Sequence, residues 1–389
     1  MIYLDNNATT PPLPEVIAIV RQALERTWGN PSSIHRIGSE AKRLVELARE
    51  QVASLVGSSP ANVVFTSGGT EGANMALAGF LAQQPGRRVV VTSRMEHSAV
   101  REFSQRLALR GTEVLWLPND RRGVVDADAL AEILSRRAAE IAVVSVMAAN
   151  NETGVIQPWE RIGALCREAG VRYHCDATQW AGRMPLSMGD APVDAVSFAA
   201  HKFHGPKGAG AVVLRAGQRL EPFVTGGSQE RSRRGGTENV PAIAGMGVAC
   251  EMAAAWLADP RGREEGLARR ELFESLLRAS APEAVVNGGD AARLWNTSNV
   301  GFPRLESEAL LLLLSEHGVA GSAGSACASG SLEPSPILRA MNIPPDVAHG
   351  SVRFSQSRFT TEDELRRAAE VIDQCVQRLR KSSAALGVG

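Results

Sequence analysis

Between Val63 and Leu214, short β-rich runs alternate with helical patterns, and that alternation restricts the chain more than any other feature of its sequence. The sequence predicts strands over 63–66, 88–92, 114–117, 141–146, 171–175, 193–198 and 212–214. It predicts helices over 39–56, 70–81 and 98–109, each with apolar positions at helical spacing. Strands separated by helices imply an α/β fold built on a largely parallel sheet covered on both faces. In such sheets a ligand lies beyond the carboxyl ends of the strands. Thr70, His97, Asn151, Asp176 and Lys202 all fall at those ends. Past residue 255 the texture changes to long polar helices, expected over 263–279, 306–317 and 361–379, with strands over 299–302 and 351–354. A chain of 389 residues exceeds one ordinary core, so two domains are expected. The larger would span 15–255, and the smaller 1–14 with 256–389.

The 42 Lys and Arg balance the 42 Asp and Glu, which argues against nucleic acid or an anionic membrane surface as a partner. The apolar run at 309–314 is far shorter than the ~20 residues of a membrane span. The N-terminus lacks the basic-then-apolar layout of a signal peptide. Five scattered cysteines do not form a disulfide framework, so a reducing, cytoplasmic setting is expected. Lysine is scarce: Lys42, Lys202, Lys207 and Lys381 are the whole set. Where arginine has taken nearly every cationic position, a retained lysine is enriched for amine chemistry that a guanidinium cannot perform. Lys202, next to His201 and a glycine-rich turn at the end of an apolar strand, suits a covalent link to pyridoxal phosphate. A surface lysine in a turn is the plain alternative.

Ser67-Gly68-Gly69-Thr70-Glu71-Gly72 follows a strand and opens a helix, which presents backbone N–H groups and a helix dipole to a small anion. It is neither a Walker loop nor Gly-x-Gly-x-x-Gly, and it also fits an ordinary strand-to-helix turn. Asp176 at a strand end either caps a turn or holds a pyridinium nitrogen protonated, with Gln179 within reach of the ring hydroxyl. His97 precedes a helix and, beside a flat ring, would stack on it and shuttle protons. Of the eleven residues 321–331, ten are Gly, Ala or Ser and one is Cys327. Such a stretch has little to bury and is expected to be mobile, which favours a reactive thiol. Cys166, Cys175, Cys250 and Cys375 lie in helical or strand patterns and read as packing residues. A second glycine-rich segment, 226–238, carries several arginines and is either a solvated loop or part of a phosphate site completed across a subunit boundary. Arg353 on a strand would hold a carboxylate.

Tyr3-Leu4-Asp5-Asn6-Asn7-Ala8-Thr9-Thr10 resembles the opening of the NifS/IscS-type cysteine desulfurases. The resemblance runs in order through Asn30-Pro31-Ser32-Ser33, Thr66 to Gly72, Asn150-Asn151-Glu152-Thr153-Gly154, His174 to Gln179 and His201-Lys202. It continues at Arg234-Gly235-Gly236-Thr237, Gly324-Ser325-Ala326-Cys327 and Ser351 to Ser355, and residues 331–344 look most like the nitrogen-fixation branch. It implies a fold-type I, aspartate aminotransferase-like transferase with a mostly parallel seven-stranded sheet and a smaller α+β domain. It also implies pyridoxal 5′-phosphate as cofactor, L-cysteine as substrate, and a homodimer that passes persulfide sulfur to an iron–sulfur scaffold protein.

By the same resemblance Lys202 binds the cofactor covalently, Asp176 pairs its ring nitrogen, Gln179 bonds its ring oxygen and His97 stacks. Gly69, Thr70, His201 and Thr237 (the last from the partner subunit) hold its phosphate. Asn151 and Arg353 take the substrate carboxylate, and Cys327 takes the sulfur, with transient ligation of a nascent cluster as its only metal role. A class V aminotransferase would need Lys202 and Asp176 but not Cys327; a selenocysteine lyase, or a non-catalytic subunit keeping the fold, are other readings. Two positions depart from the family pattern. Ala199 stands where a serine is common, removing a phosphate hydrogen bond of about 1 kcal/mol, and Ser355-Gln356-Ser357-Arg358 differs from the commoner Ser-Leu-Gly-Arg.

Overall fold

The computed structural model describes residues 1–323 and 334–385. Its centre is a seven-stranded sheet made of β2 (Val63–Thr66), β3 (Val89–Ser93), β4 (Glu113–Leu117), β5 (Ile141–Ser145), β6 (Arg172–Asp176), β7 (Ala195–Ala199) and β8 (Gly210–Leu214), in the order β2-β8-β7-β6-β5-β3-β4. Strands β3 to β7 pair in parallel, while β8 runs antiparallel to both β7 and β2. Every residue of β3, β5 and β7 is buried, as a sheet covered on both faces demands. The boundaries expected from sequence hold to within a few residues. The reversal of β8 is the exception: its Val/Leu run looks like one more parallel strand, because direction leaves no trace in composition. The reversal has a structural consequence. An antiparallel return needs no crossover helix, so residues 200–209 turn directly at the carboxyl end of β7 and bring Lys202 there.

The helix Gly69–Ala82 lies against β5, β6, β7 and β8, apolar nearly all round and buried accordingly. Gly210 sets that packing: a Cβ there would stand 2.7 Å from the Cα of Gly68, so only glycine lets the start of this helix touch β8. On the other face, the helix Val240–Leu257 packs between Pro14–Arg26 and Arg36–Leu55. It is long and apolar enough to span a membrane by composition, yet 56% of it is buried within the protein, in keeping with a core helix. Reading only uninterrupted apolar runs overlooks it, since glycine, glutamate and cysteine punctuate its sequence.

A separate hydrophobic core joins Leu4 to residues between Phe273 and Val376. It covers a three-stranded antiparallel sheet of β9 (Val285–Val286), β10 (Thr297–Gly301) and β12 (Ser351–Ser355), in the order β12-β10-β9. The short β1 (Ile2–Tyr3) pairs in parallel with β11 (Val319–Ala320). Residues 5–10 then pass between this small sheet and the end of β7: Asn6 Nδ2 donates to Ser355 O (2.9 Å) and Thr10 Oγ1 to His201 O (2.9 Å).

Candidate active site

Strands β2, β3, β5, β6 and β7 all deliver residues to one cavity of about 600 Å3 at their carboxyl ends. Lys202, His97, Gly69, Thr70, Asp176, Gln179, His201, Asn151 and Arg353 line it together. Thr237 does not; it is exposed on the turn after the short helix Gln229–Ser232. Cys327 lies outside the described residues, but the chain on either side of it is fixed at the cavity. Ser322 exchanges two backbone hydrogen bonds with Arg353 (2.7 and 3.0 Å), and Pro336 is part of the wall.

Lys202 ends a single 3-10 turn, Ala200–Lys202, and its Nζ donates to the carbonyls of Asn7 (2.6 Å) and Ala8 (2.8 Å). Burial, reinforced by the charges of Arg183 and Arg353 and opposed by Asp176 and Asp5, brings its amine down to about 7. At neutral pH a large share of it is therefore the free, nucleophilic amine. Asp176, only 6% exposed, accepts the Thr178 N–H at Oδ1 (2.9 Å). His97 caps the helix Ser98–Ala108: its Nδ1 accepts the Ala99 N–H (3.1 Å), so a neutral ring carries its proton on Nε2. Burial pushes the imidazole below its ordinary range, against the pull of Asp176. His201 is likewise lowered, to about 4, first by burial and then by the Lys202 charge.

Arg353, buried in β12, donates to Asp5 Oδ1 (2.7 Å) and to Asn151 O (3.1 Å). Gln179 donates through Nε2 to Asn7 O (3.1 Å) and accepts from Arg183 at Oε1. Gln356, one of the two departures from the family pattern, is structural: its Nε2 donates to Gly266 O (2.6 Å) and Trp295 O (2.8 Å). Ala199 lies in the cavity wall, offering a methyl group where a hydroxyl is common.

The profile of the aminotransferase class-V family matches residues 2–367 of this chain. The chain belongs to that family. It is similar to the cysteine desulfurase of Trichormus azollae, with 44% identity over 98% of this chain and 94% of the relative. The cysteine desulfurase NifS of Azotobacter vinelandii is 42% identical over the same shares. A solved NifS-like protein superposes with a TM-score of 0.89 at 34% identity, covering 97% of this chain and all of that one. The fold is thus that of the NifS-like class-V enzymes, which are pyridoxal-phosphate-dependent.

The residues present fit that cofactor. A Cβ on Gly69 would come within 2.9 Å of Thr178 Oγ1, so the glycine keeps open a cradle at a helix N-terminus suited to an anion. Asn151 Oδ1, Thr178 Oγ1 and Glu96 Oε2 belong to residues of the wall, are buried, and make no hydrogen bond among the described residues.

Sequence reading missed the roles of four residues of this region. Glu96, fully buried, accepts Met147 N–H at Oε1 (2.8 Å). Burial, with Asp176 adding to it, holds its carboxyl well above the usual range, which favours its neutral form. The carbonyls of Asn7 and Ala8 hold the amine, and a backbone contact has no sequence signature. Arg183, seven residues past Asp176, was one of 38 arginines and nothing set it apart.

Proposed function

We propose that this protein is a cysteine desulfurase that converts L-cysteine to L-alanine and carries the sulfur away as a persulfide on Cys327. One observation carries the reading: the amine of Lys202, the carboxylate of Asp176, the ring of His97 and the Gly69–Thr70 helix start surround a single cavity, and both flanks of the cysteine-bearing segment are anchored at it. Cys327 stands five residues past Ser322, which gives an extended chain a reach of roughly 17 Å.

Pyridoxal phosphate, when bound, supplies an aldehyde that links to amines and a ring that accepts an electron pair. Thr70, His201 and the N–H groups after Gly69 would hold its phosphate, Asp176 its ring nitrogen and Lys202 its aldehyde carbon. Arg353 and Asn151 receive the substrate carboxylate; Arg353 does so in exchange for Asp5. Lys202, as free amine, takes the α-hydrogen of cysteine. Cys327 thiolate attacks the substrate sulfur, so that an S–S bond forms as the C–S bond breaks. The electron pair of that bond stays with the β-carbon, which takes a proton, and Lys202 returns a proton to the α-carbon, so that alanine departs. His97, with its proton on Nε2, supplies a proton on this route.

Two further parts belong to this reading. The chain divides into a larger unit of residues 15–255 and a smaller one of 1–14 with 256–389; a second core joining Leu4 to residues 273–376 supports the division, while Leu13, Leu294, Ile337, Leu338, Met341 and Ala348 pack into the larger core. The protein acts as a homodimer, because Thr237 reaches no site in its own chain while Trp28 and Ile34 leave large apolar side chains exposed (68% and 99%). The sulfur acceptor is an iron–sulfur scaffold protein, of the nitrogenase-maturation type by likeness to NifS. Cys327→Ala is expected to abolish cysteine-dependent sulfide release while the bound cofactor's visible absorbance remains. Undiminished sulfide release in that variant would refute Cys327 as the nucleophile, whereas amino-group transfer with no sulfide release from the natural protein would favour the aminotransferase-type reading, in which the thiol has no part.

A further inference from the structure

Arg183 is 5% exposed, and no carboxylate lies within ion-pairing distance of it among the described residues. Its guanidinium instead donates to three oxygens around the amine. Nη2 reaches both Asn6 O and Lys202 O at 2.9 Å, and Nη1 reaches Gln179 Oε1. The first of these acceptors adjoins Asn7 and Ala8, whose carbonyls hold Lys202 Nζ. One rigid fork thus fastens the turn that carries the lysine to the segment that receives its side chain, a task suited to the planar spread of arginine donors. We propose that Arg183 is a positioning residue: it aims Lys202 into the cavity and, as a buried cation with no counter-charge, keeps that amine unprotonated and ready to bind the cofactor.

The charges around Lys202 single out Arg183. From β12 comes Arg353, from the N-terminal segment Asp5, from the end of β6 Asp176, and His97 and His201 lie on the neighbouring turns. Arg353 is paired with Asp5 at 2.7 Å, so Asp5 offsets part of its field at the amine. Both imidazoles are held neutral by burial. Asp176 favours the ammonium. Arg183 is the larger of the two cationic influences on the amine and has no carboxylate beside it among the described residues; although burial brings it down to about 9 it remains charged at neutral pH. This inference rests on the reading of Lys202 as the cofactor-binding amine, but the amine can be measured by itself.

The lysine-poor sequence makes that measurement clean. Trace acetylation of the cofactor-stripped full-length protein across pH, read by peptide mass spectrometry, reports each amine's titration, with Lys42, Lys207 and Lys381 as internal standards. Lys202 should titrate near neutral pH in the natural protein. In Arg183→Gln its midpoint should move up by about one pH unit, the size of a close like-charge effect, and Arg183→Lys should stay near the natural value. Rates of pyridoxal phosphate uptake at pH 7 should fall several-fold in the glutamine variant alone. An unmoved Lys202 midpoint in a folded Arg183→Gln protein would overturn the proposal. So would an upward shift in Arg183→Lys equal to that of the glutamine variant. If the glutamine variant does not fold, the natural protein still decides, since a Lys202 midpoint in the ordinary lysine range near ~10.4 overturns it as well. A low midpoint that rises in Arg183→Gln, together with no sulfide production, would instead uphold the role of Arg183 and count against the desulfurase reading.

Discussion

On one side of the cavity Lys202 rests on the carbonyls of Asn7 and Ala8 under the charge of Arg183; on the other, Glu96 and His97 occupy the turn between β3 and the helix Ser98–Ala108. Both sides are buried, and burial disfavours charge on each, lowering the amine on one and raising the acid and lowering the imidazole on the other. The difference lies in what each side can then do. A lysine stripped of its proton is a nucleophile and a base, whereas a glutamic acid that keeps its proton is a donor held in reserve. The same desolvation has made opposite reagents from opposite residue types. The lysine side is also fastened by a cation, while the side chains of the acid side are fastened by backbone N–H groups, from Met147 to Glu96 and from Ala99 to His97, and by the Ser93 hydroxyl.

Removing the amine is the largest way to break this contrast. Lys202→Ala is expected to lose turnover by about 10⁴-fold or more and to lose the covalently bound cofactor's absorbance, measured by sulfide assay and visible spectroscopy. The acid side gives a smaller effect with a definite pH signature. Glu96 is protonated in the folded chain but ionised when unfolded above its ordinary value of 4.5, so its contribution to stability falls as pH rises through that window. Lys202 has the reverse sign. Neutral when folded and charged when unfolded between about 7 and 10.5, it contributes stability that rises across that interval. Glu96→Gln keeps the shape and removes the titration, so its Tm advantage over the natural protein should be larger at about pH 8 than at about pH 5. Equal differences at both pH values would mean that Glu96 is ionised in the folded protein. The smallest expected effect concerns Ala199, in the floor between the two sides. Ala199→Ser restores a hydroxyl worth about 1 kcal/mol and should tighten pyridoxal phosphate binding about fivefold in a fluorescence titration of the stripped protein.

The two sides also differ in how legible they were. Lys202, Asp176, His97 and the Gly69–Thr70 turn stand out in sequence because strand ends, a glycine pair and a scarce residue type mark them. The expected strands occur with small shifts because β-branched runs bounded by turns leave a strong local signal. What sequence could not carry was set by tertiary approach. The reversal of β8 depends on pairing with β2, and the grip on the amine depends on carbonyls nearly two hundred residues away. Glu96 looks like an ordinary surface acid until its full burial is seen. Thr237 is exposed and lies off the cavity of its own chain, a placement its local sequence does not reveal.

The four cysteines of the described core, Cys166, Cys175, Cys250 and Cys375, are buried, and burial raises the thiol of each above its ordinary range. Mass spectrometry of the protein after brief exposure to L-cysteine therefore tests the account most directly. One added sulfur atom on the Cys327 peptide, with none on the other four, is the predicted result. Alanine formed while Cys327 stays unmodified, or sulfur found on one of the buried thiols instead, would contradict it.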